Sequence, residues 1–430
     1  MKELKTIFFI LSLSLLLGYL ALVCVKAIPN KFIEYNIKFS AQKMKEECDV
    51  YNNAYSNNKY YSYDSANLYI DGAFLDTFAN ADGYAICYNK KTNNPFYDSL
   101  YCWNYYIKNI KQNTRGVKAL LKTLYNKIED MGVYDHSQEW HGYQVFLKPA
   151  LIFFNIKDIR LICLLFTQVL LLLVCLQIYE INKNYVLIIP FFIGFEYFNF
   201  SLESMSLLFC MDIDTMLLSC LAILYVLKNN KPHRYTGYIF ILTGVFAAYF
   251  SMFTLPLITI GFPLILWLSL QKDETKEIIL SIKHFVYWLI GYFVMGLGKI
   301  AISIIFSNSK NGIILIKWYS GIMDKISIAD RFKDIWLYIA NINNGSLVRL
   351  YLLIGIMIFL IVSIYINFFK LKKHIHFKTK YILYVFIGAL PLMWVFCVPC
   401  HIKEYTIFLF SVSVYSVIQL LFDINNEVKK

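Results

Sequence analysis

The feature that most constrains this 430-residue sequence is its series of long apolar runs. The first, TIFFILSLSLLLGYLALVCV at residues 6–25, is long enough as a helix to cross a hydrocarbon core of about 30 Å. Its length and the bulky residues that follow predict an uncleaved anchor rather than a signal peptide. The sequence therefore predicts an all-α polytopic membrane protein with about ten transmembrane helices. The further runs lie near residues 161–179, 185–200, 207–227, 237–253, 255–270, 285–306, 350–369, 381–398 and 405–422.

Composition and charge agree with a membrane location. Hydrophobic residues make up 58% of the chain, compared with roughly 45 to 50% in soluble domains. The formal charge of +12 comes from residues at the flanks of the apolar runs and not from one patch, which argues against nucleic-acid binding. Threading the runs from a cytoplasmic N-terminus places every short basic loop inside. The abundance of Lys, Asn, Ile and Tyr is typical of AT-rich bacterial genomes, so we expect a multi-pass protein among the lipids of a bacterial cytoplasmic membrane.

Two polar segments, residues 28–158 and 307–349, fall outside the membrane in this threading. Within the first, apolar residues from Val117 to Met131 recur at helical spacing and predict an amphipathic helix. This helix either lies on the membrane surface or packs against the rest of the loop. The predicted divisions are a first transmembrane helix (1–27), a large extracytoplasmic loop with amphipathic helices (28–158), a transmembrane bundle (159–306), a second extracytoplasmic loop (307–349), and C-terminal transmembrane helices with a short cytoplasmic tail (350–430).

Two of the runs are weak spans. The run that ends at Phe200 is short, and the run that begins at Leu255 contains Pro256 and Pro263. Proline removes a backbone donor, and irregular backbone is tolerated at membrane depth only where protein or a cavity surrounds it. Either run is therefore expected to be a spanning helix or a broken or re-entrant one.

The stretch VFCVPCHIKEY, residues 395–405, matches the C-x-x-C-H pattern of c-type haem attachment. Pro399 lies inside the pattern, and the sequence positions no second axial ligand, so we interpret the match as an accident in a cysteine-bearing chain. We predict instead that a span ends at Pro399. His401, Lys403 and Glu404 would then form a polar cluster that faces the outer loop.

The other cysteines indicate little chemistry. Most of them lie in apolar runs, where a free thiol behaves as a small hydrophobic group. The first loop contains three, and a disulfide between Cys87 and Cys102 is the pair that we expect there. No residue pattern indicates a cofactor, and the sequence leaves a divalent metal ion open.

Acidic residues within an apolar run need partners, because an ionised side chain at the centre of a membrane helix costs about 2.5 to 3.5 kcal/mol. Asp212 and Asp214 lie two residues apart and do not share one helix face. At least one of them is therefore expected to pair, with Lys299 as a candidate partner, or to line a polar cavity.

The end of the first loop carries a more specific signal in the stretch EWHGYQVFLKPALIFFNIKDIRLI, residues 139–162. With one anchor, one large outer loop and a following bundle, this stretch resembles the membrane-embedded glycosyltransferases of the GT-C fold. The His-Pro-Pro triplet that is usual in that family is absent. The features that carry the resemblance are Trp140-His141, Lys148-Pro149-Ala150-Leu151 and Arg160-Leu161.

The resemblance implies an inverting glycosyltransferase that moves a sugar from a polyprenyl-phosphate donor to a glycan, lipid or other acceptor on the extracytoplasmic face. Such a transfer needs a carboxylate for the acceptor's proton and cationic groups for the phosphate. The expected site residues are Asp64 and Asp71 as catalytic acids, His141, Lys148 and Arg160 as phosphate partners, and His401, Lys403 and Glu404 as further substrate contacts.

Other interpretations stay open from the sequence. A polysaccharide polymerase or ligase is also a multi-span protein with outer loops, although its large loop usually comes late in the chain. A transporter or flippase of envelope precursors would use the intramembrane acids as its key residues. Each site residue also has a structural explanation: helix N-capping for Asp64 and Asp71, snorkelling at the membrane interface for Lys148 and Arg160, and a hydrogen bond within the loop for His141.

Overall fold

The protein, in a computed structural model, is a bundle of apolar helices with a smaller mixed domain at one end. The structure describes residues 2–55, 67–70, 73–108, 116–129, 131–135, 137–183, 187–197, 199–251, 255–271, 274–307, 379–397 and 406–428. In chain order the elements are α1 (Lys2–Ala27), α2 (Glu34–Tyr55), β1 (Asn67–Ile70), β2 (Ala73–Asp76), α3 (Thr77–Tyr88), α4 (Pro95–Asp98), β3 (Trp103–Ile107), α5 (Val117–Leu124), β4 (Met131–Asp135), α6 (Gln144–Phe153), α7 (Ile156–Asn182), α8 (Ile188–Glu196), α9 (Phe200–Glu203), α10 (Leu207–Lys228), α11 (His233–Phe250), α12 (Pro256–Ser269), α13 (Glu274–Ser307), α14 (Thr379–Cys397) and α15 (Thr406–Val428).

Four helices in the described part, α1, α7, α10 and α13, are long and apolar enough to cross a membrane. The chain is therefore a helical membrane protein, as the sequence predicts. The predicted total of about ten spans stays a prediction. The predicted span at 350–369 and the predicted outer loop at 307–349 have no described residue beyond Ser307.

The two weak spans are short helices inside the bundle. The helix α8 has 9 residues and α12 has 14, so they measure about 14 and 21 Å, less than a hydrocarbon core. The residues of α12 from Pro256 to Leu268 are all buried, because α10, α11, α13, α14 and α15 surround it. Enclosure by protein makes a short helix tolerable at membrane depth, as expected for the run of α12. The helix α8 packs on one face only and exposes Ile189, Phe192 and Ile193 on the other.

The helices α11 and α13 touch backbone to backbone through two glycines. A Cβ atom on Gly244 would lie 2.1 Å from the carbonyl oxygen of Trp288, and one on Gly291 would lie 2.1 Å from that of Ile241. Close approach through small residues is a common way for membrane helices to pack. This contact fixes the register of the pair. The end of α11 at Phe250 is therefore level with a part of α13 that lies about nine residues, or roughly 13 Å, before the end of α13.

The helix α1 runs parallel to α13 and ends at the same level. Glu3 at its start accepts hydrogen bonds from Lys283 and Tyr287, both at 2.8 Å. Further along, a Cβ atom on Gly18 would lie 2.8 Å from the side chain of Met295. Both α1 and α13 therefore extend beyond α11 and leave a recess above its end, which we call the outer recess.

The first loop folds into a domain of helices α2 to α6 and two small antiparallel sheets, which we call the outer domain. The strand pairs are β1 with β2 and β3 with β4, the latter in register from Trp103–Asp135 to Ile107–Met131. The sequence predicts amphipathic helices alone in this loop, so the strands are a difference from that prediction. They are only four or five residues long, so their alternation is too brief to stand out.

The predicted amphipathic helix is shorter than expected. The helix α5 ends at Leu124, Asn126 follows in the left-handed region with φ 54°, and Met131 belongs to β4. Its apolar face packs against α2 and α3 in the core of the outer domain. Of the two alternatives, packing within the loop is therefore correct, and the membrane-surface alternative is wrong for this helix.

Adding a methyl group at the α11–α13 contact tests the register that creates the outer recess. Gly244→Ala or Gly291→Ala should force the helices apart and lower the free energy of unfolding by about 1 to 3 kcal/mol. Gly296→Ala, on the same helix α13, is the matched control because a Cβ atom there has nothing within 4 Å. Thermal unfolding of the purified protein in detergent measures all three, and equal melting temperatures would contradict the close contact.

Candidate functional site at the outer recess

The residues Trp140, His141 and Gly142 of the first loop, which we call the WHG segment, fill the outer recess. The indole nitrogen of Trp140 donates a 2.7 Å hydrogen bond to the carbonyl oxygen of Met295, and the amide of Gly142 donates a 2.9 Å bond to that of Tyr249. The hydroxyl of Tyr249 in turn donates to the carbonyl oxygen of Gly18 at 2.8 Å. The first two bonds connect the outer domain to α13 and α11, and the third connects α11 to α1.

The backbone of this segment is held in an uncommon conformation. His141 has a φ of 50°, in the left-handed region that costs a side-chain-bearing residue of order 1 kcal/mol. A Cβ atom on the next residue, Gly142, would lie 2.5 Å from the carbonyl oxygen of Tyr249, so glycine is required there. The docking contacts therefore dictate the direction in which the imidazole of His141 points.

The imidazole of His141 joins an acid to a phenol. Its Nε2 lies 3.2 Å from Oε2 of Glu139, and its Nδ1 lies 3.1 Å from the hydroxyl of Tyr143. Burial raises the pKa of Tyr143, so the phenol stays neutral beside Nδ1. The other ring nitrogen, Nε2, faces the carboxylate of Glu139. The predicted alternative of a hydrogen bond within the loop is realised for His141.

Glu139 is a functional candidate that the sequence analysis passed over. Its side chain is 24% exposed, whereas that of His141 is 5% exposed. A partly exposed carboxylate held by a buried imidazole has one oxygen that is oriented and a surface that is open to a reactant. The acid stands directly before the Trp140-His141 pair in the sequence, whereas the prediction rests on that pair alone.

Lys148 is fully buried, at 0% exposure, and does not snorkel. Its ammonium group donates a 3.2 Å hydrogen bond to Oδ1 of Asn30, and no carboxylate pairs with it in the described part of the chain. Burial, together with the nearby ammonium of Lys26, lowers the pKa of Lys148 to about 7. The snorkelling alternative is therefore wrong for Lys148, and its environment favours an added negative charge.

Lys26, at the end of α1, has a structural explanation. Its ammonium group donates to the carbonyl oxygens of Ile86 at 2.7 Å and Asn89 at 3.4 Å, which end the helix α3. A cation at a helix C-terminus satisfies carbonyls that lack partners within the helix. The side chain is 1% exposed, so Lys26 still adds a positive charge to the interior beside Lys148.

Lys299 ties α13 to the outer domain and does not pair with the intramembrane acids. It donates to the carbonyl oxygens of Ser99 at 3.1 Å and Leu100 at 3.0 Å, and its ammonium lies 5.4 Å from the ring centre of Trp140. The suggested ion pair between Lys299 and an aspartate of α10 is therefore wrong within the described contacts. A lysine at this depth reaches backbone carbonyls of the first loop before it reaches α10.

The two acids of α10 have local partners. Oδ2 of Asp212 accepts from the hydroxyl of Ser251 at 2.8 Å and from the amide of Leu255 at 3.1 Å, where α12 begins. Oδ1 of Asp214 accepts a 2.7 Å bond from the hydroxyl of Thr167 on α7. Asp212 thus supports the start of the short helix α12, and each acid pairs with a different neighbour, as their spacing requires.

Arg160 forms a bidentate ion pair with Glu47 of α2, with distances of 2.6 and 3.0 Å. Its side chain is 10% exposed and that of Glu47 is 19% exposed. Snorkelling is therefore also wrong for Arg160, and its charge is already balanced. The predicted role as a phosphate partner fits Lys148 better than Arg160.

Cys87 and Cys102 are free thiols, so the expected disulfide between them is wrong. Both are buried, and the Cys102 thiol donates to the carbonyl oxygen of Glu139 at 3.7 Å. Burial raises the pKa of Cys87 to about 12, so that thiol stays neutral. The two cysteines pack as small hydrophobic groups between the Lys26 side chain and the WHG segment.

Several predicted site residues lie outside the residues that the structure describes. Their assignments therefore stay predictions. Within the described ranges, no group of three or more His, Cys, Asp or Glu side chains is arranged to hold a metal ion. The residues outside are Asp64, Asp71, His401, Lys403 and Glu404, together with Cys400 of the haem-like pattern.

Replacing the two cations Lys148 and Arg160 measures how much each contributes to stability. Lys148→Met should raise the melting temperature in detergent, because an apolar side chain of similar size replaces a charge with one amide partner. Arg160→Met should lower the free energy of unfolding by about 1 to 3 kcal/mol, because it leaves the partly buried carboxylate of Glu47 without its partner.

The pH dependence of stability provides a second measurement. The folded pKa of Lys148, about 7, is below its usual 10.5, so between these values the unfolded chain binds a proton that the folded chain does not. Stability should therefore rise with pH across that window. Lys148→Met should remove this contribution, and an unchanged slope would contradict the burial of a lysine with few partners.

The comparisons with known proteins leave the function to be argued from the site. No protein-family model, no curated protein and no solved structure matches this chain. The likeness to GT-C glycosyltransferases therefore stays a resemblance in motif and topology.

Proposed function

We propose that this protein is a membrane glycosyltransferase that uses a polyprenyl-phosphate sugar as donor and a glycan, lipid or other acceptor at the extracytoplasmic face. The observation that supports it most is the buried ammonium of Lys148, which has one amide partner and lies near the second ammonium of Lys26. A phosphate group would supply the missing negative charge through charge-assisted hydrogen bonds. Binding an anion would also raise the pKa of Lys148 and draw a proton to it.

An acid is available on the same interface. Cys102 contacts the backbone of Glu139 and lies close enough to Lys26 to interact with it electrostatically. Glu139 therefore belongs to the same part of the outer domain as the buried lysines. It joins Asp64 and Asp71 as a candidate base, with His141 as its positioning residue.

The proposed reaction assigns each group one step. The carboxylate accepts the proton of the acceptor hydroxyl as that oxygen attacks the anomeric carbon of the sugar. The bond from that carbon to the donor phosphate breaks, and the electron pair leaves with the phosphate oxygen. Lys148 stabilises the charge that develops there, and attack from the opposite side inverts the anomeric centre.

Translocation of envelope precursors is the second candidate. The observation that favours it is the pair of short helices α8 and α12, because transporters use interrupted helices at their binding sites. In this structure, however, the start of α12 is bonded to Asp212 and all of its described faces are covered by protein. These contacts give the short helix a structural explanation, so transfer chemistry is the better supported proposal. A polymerase or ligase would use the same phosphate and acid groups with a longer acceptor.

Sugar transfer in isolated membranes tests the proposal. With a polyprenyl-phosphate sugar as donor, loss of the base through Asp64→Asn, Asp71→Asn or Glu139→Gln should lower turnover by about 10² to 10⁴-fold. Lys148→Met should weaken transfer while the protein melts at a higher temperature. Glu180→Gln is the control, because Glu180 forms an exposed ion pair with Lys228 at the other end of the bundle.

Two results would contradict the proposal. Near-normal transfer in each of the three acid variants would show that none of these carboxylates is the catalytic base. Unchanged donor affinity in Lys148→Met would show that Lys148 does not bind the donor phosphate. Movement of a precursor across vesicles without transfer, in the parent protein, would favour the transporter alternative.

A further inference from the structure

The turn that contains α4 is attached to the bundle at membrane depth. The hydroxyl of Tyr19 donates a 3.0 Å hydrogen bond to the carbonyl oxygen of Phe96, the second residue of α4. Tyr19 lies six residues inside the outer end of the apolar run at residues 6–25, which is about 9 Å along the helix axis. Helical side chains lean towards the helix N-terminus, so this hydroxyl is no closer to the membrane surface than its own backbone.

A second anchor gives the same depth. Ser99 and Leu100, directly after α4, accept hydrogen bonds from Lys299. Lys299 lies eight residues before the end of α13, or about 12 Å along its axis. Two helices, α1 and α13, therefore hold residues 96–100 well below their outer ends.

The turn presents aromatic side chains outward at this depth. Phe96 is 56% exposed and Tyr97 is 50% exposed, and together we call them the aromatic tip. Leu16 and Leu20 flank Tyr19 on α1 and are 55% and 40% exposed. The tip and the outward face of α1 thus form one continuous apolar surface, whose part on α1 must face lipid because α1 is a spanning helix.

Most backbone amides of the turn are hydrogen-bonded within it, which suits hydrocarbon surroundings. The Asp98 carboxylate is 2% exposed and accepts from the amides of Lys91 at 3.0 Å and Thr92 at 2.7 Å. The side chain of Asn94 caps the amide of Phe96 at 3.0 Å, and Pro95 has no amide to satisfy. Backbone bonds within the turn also satisfy the amides of Asp98, Ser99 and Leu100.

We propose that the aromatic tip inserts into the outer leaflet of the membrane, with Phe96 and Tyr97 against lipid acyl chains. The exposed polar residues before it, from Lys91 to Asn94, then lie at the level of the headgroups. The ammonium of Lys91 stacks over Tyr101, 3.8 Å from the ring centre, which fits the amphipathic character of a membrane interface. This surface anchors the outer domain to lipid and does not depend on the proposed enzyme activity.

Site-specific photocrosslinking tests the insertion. The full-length protein carries p-benzoylphenylalanine at Phe96, at Leu17 as a lipid-facing control, or at Lys127 as an exposed control in the outer domain. Each variant is reconstituted into vesicles of phosphatidylethanolamine and phosphatidylglycerol, irradiated, and analysed by mass spectrometry of the adducts. Phe96 should give acyl-chain adducts within about twofold of Leu17, because both face hydrocarbon, and Lys127 should give none.

Two outcomes would overturn the inference. Adduct yields at Phe96 as low as those at Lys127 would place the tip in water. Crosslinks from Phe96 to a second copy of the chain, in place of lipid, would make the tip a contact between protein molecules. Because the readout needs no substrate, failure of the glycosyltransferase proposal leaves this test unaffected.

Discussion

The unequal heights of the helices at the extracytoplasmic end determine how the rest of the molecule is arranged. The glycine contact between α11 and α13 sets a register in which α11 stops well below its neighbours. The exposed end of a helix carries carbonyl groups without partners, and a membrane offers no water at that depth to bond them. The WHG segment supplies one of the missing donors, since the amide of Gly142 bonds to the carbonyl oxygen of Tyr249 at the end of α11. Trp140 bonds to the carbonyl oxygen of Met295 on the side of α13 that rises above this end. Docking of the outer domain is therefore a consequence of helix register.

The buried lysines show how one residue type serves two purposes at this interface. Lys26 and Lys299 each extend from a membrane helix and donate to two backbone carbonyls of the outer domain, so their charges face dipoles that suit them. Lys148 comes from the outer domain itself and has one neutral amide partner. A cation retained in such a place without a directly paired carboxylate weakens the fold, which is expected of a group kept for binding rather than for stability.

The sequence was sufficient for the elements whose patterns are long. Nine of the predicted runs, including the two weak ones, coincide with helices in the described part. The first loop forms the outer domain, as a unit distinct from these helices. The strands were not predictable because they are only four or five residues long. The burial of Lys148 and the pairing of Arg160 with Glu47 were not predictable because each depends on contacts between segments far apart in the chain. His141 was recognised as a site residue, but its partners, Glu139 and Tyr143, follow from a left-handed backbone that only the docking contact explains.

Asp98 connects the aromatic tip to the candidate site. Its carboxylate closes the turn through the amides of Lys91 and Thr92, and the same charge acts electrostatically on Lys26 and Lys148. A buried carboxylate is stable only when donors surround it, and a buried lysine is easier to keep charged when a carboxylate is near. The amides of Lys91 and Thr92 supply donors to Asp98, and Asp98 supplies the carboxylate near Lys148 and Lys26. The turn that reaches towards lipid is therefore held by the same charge that moderates the burial of Lys148, and a displacement of either part changes the electrostatic surroundings of the other.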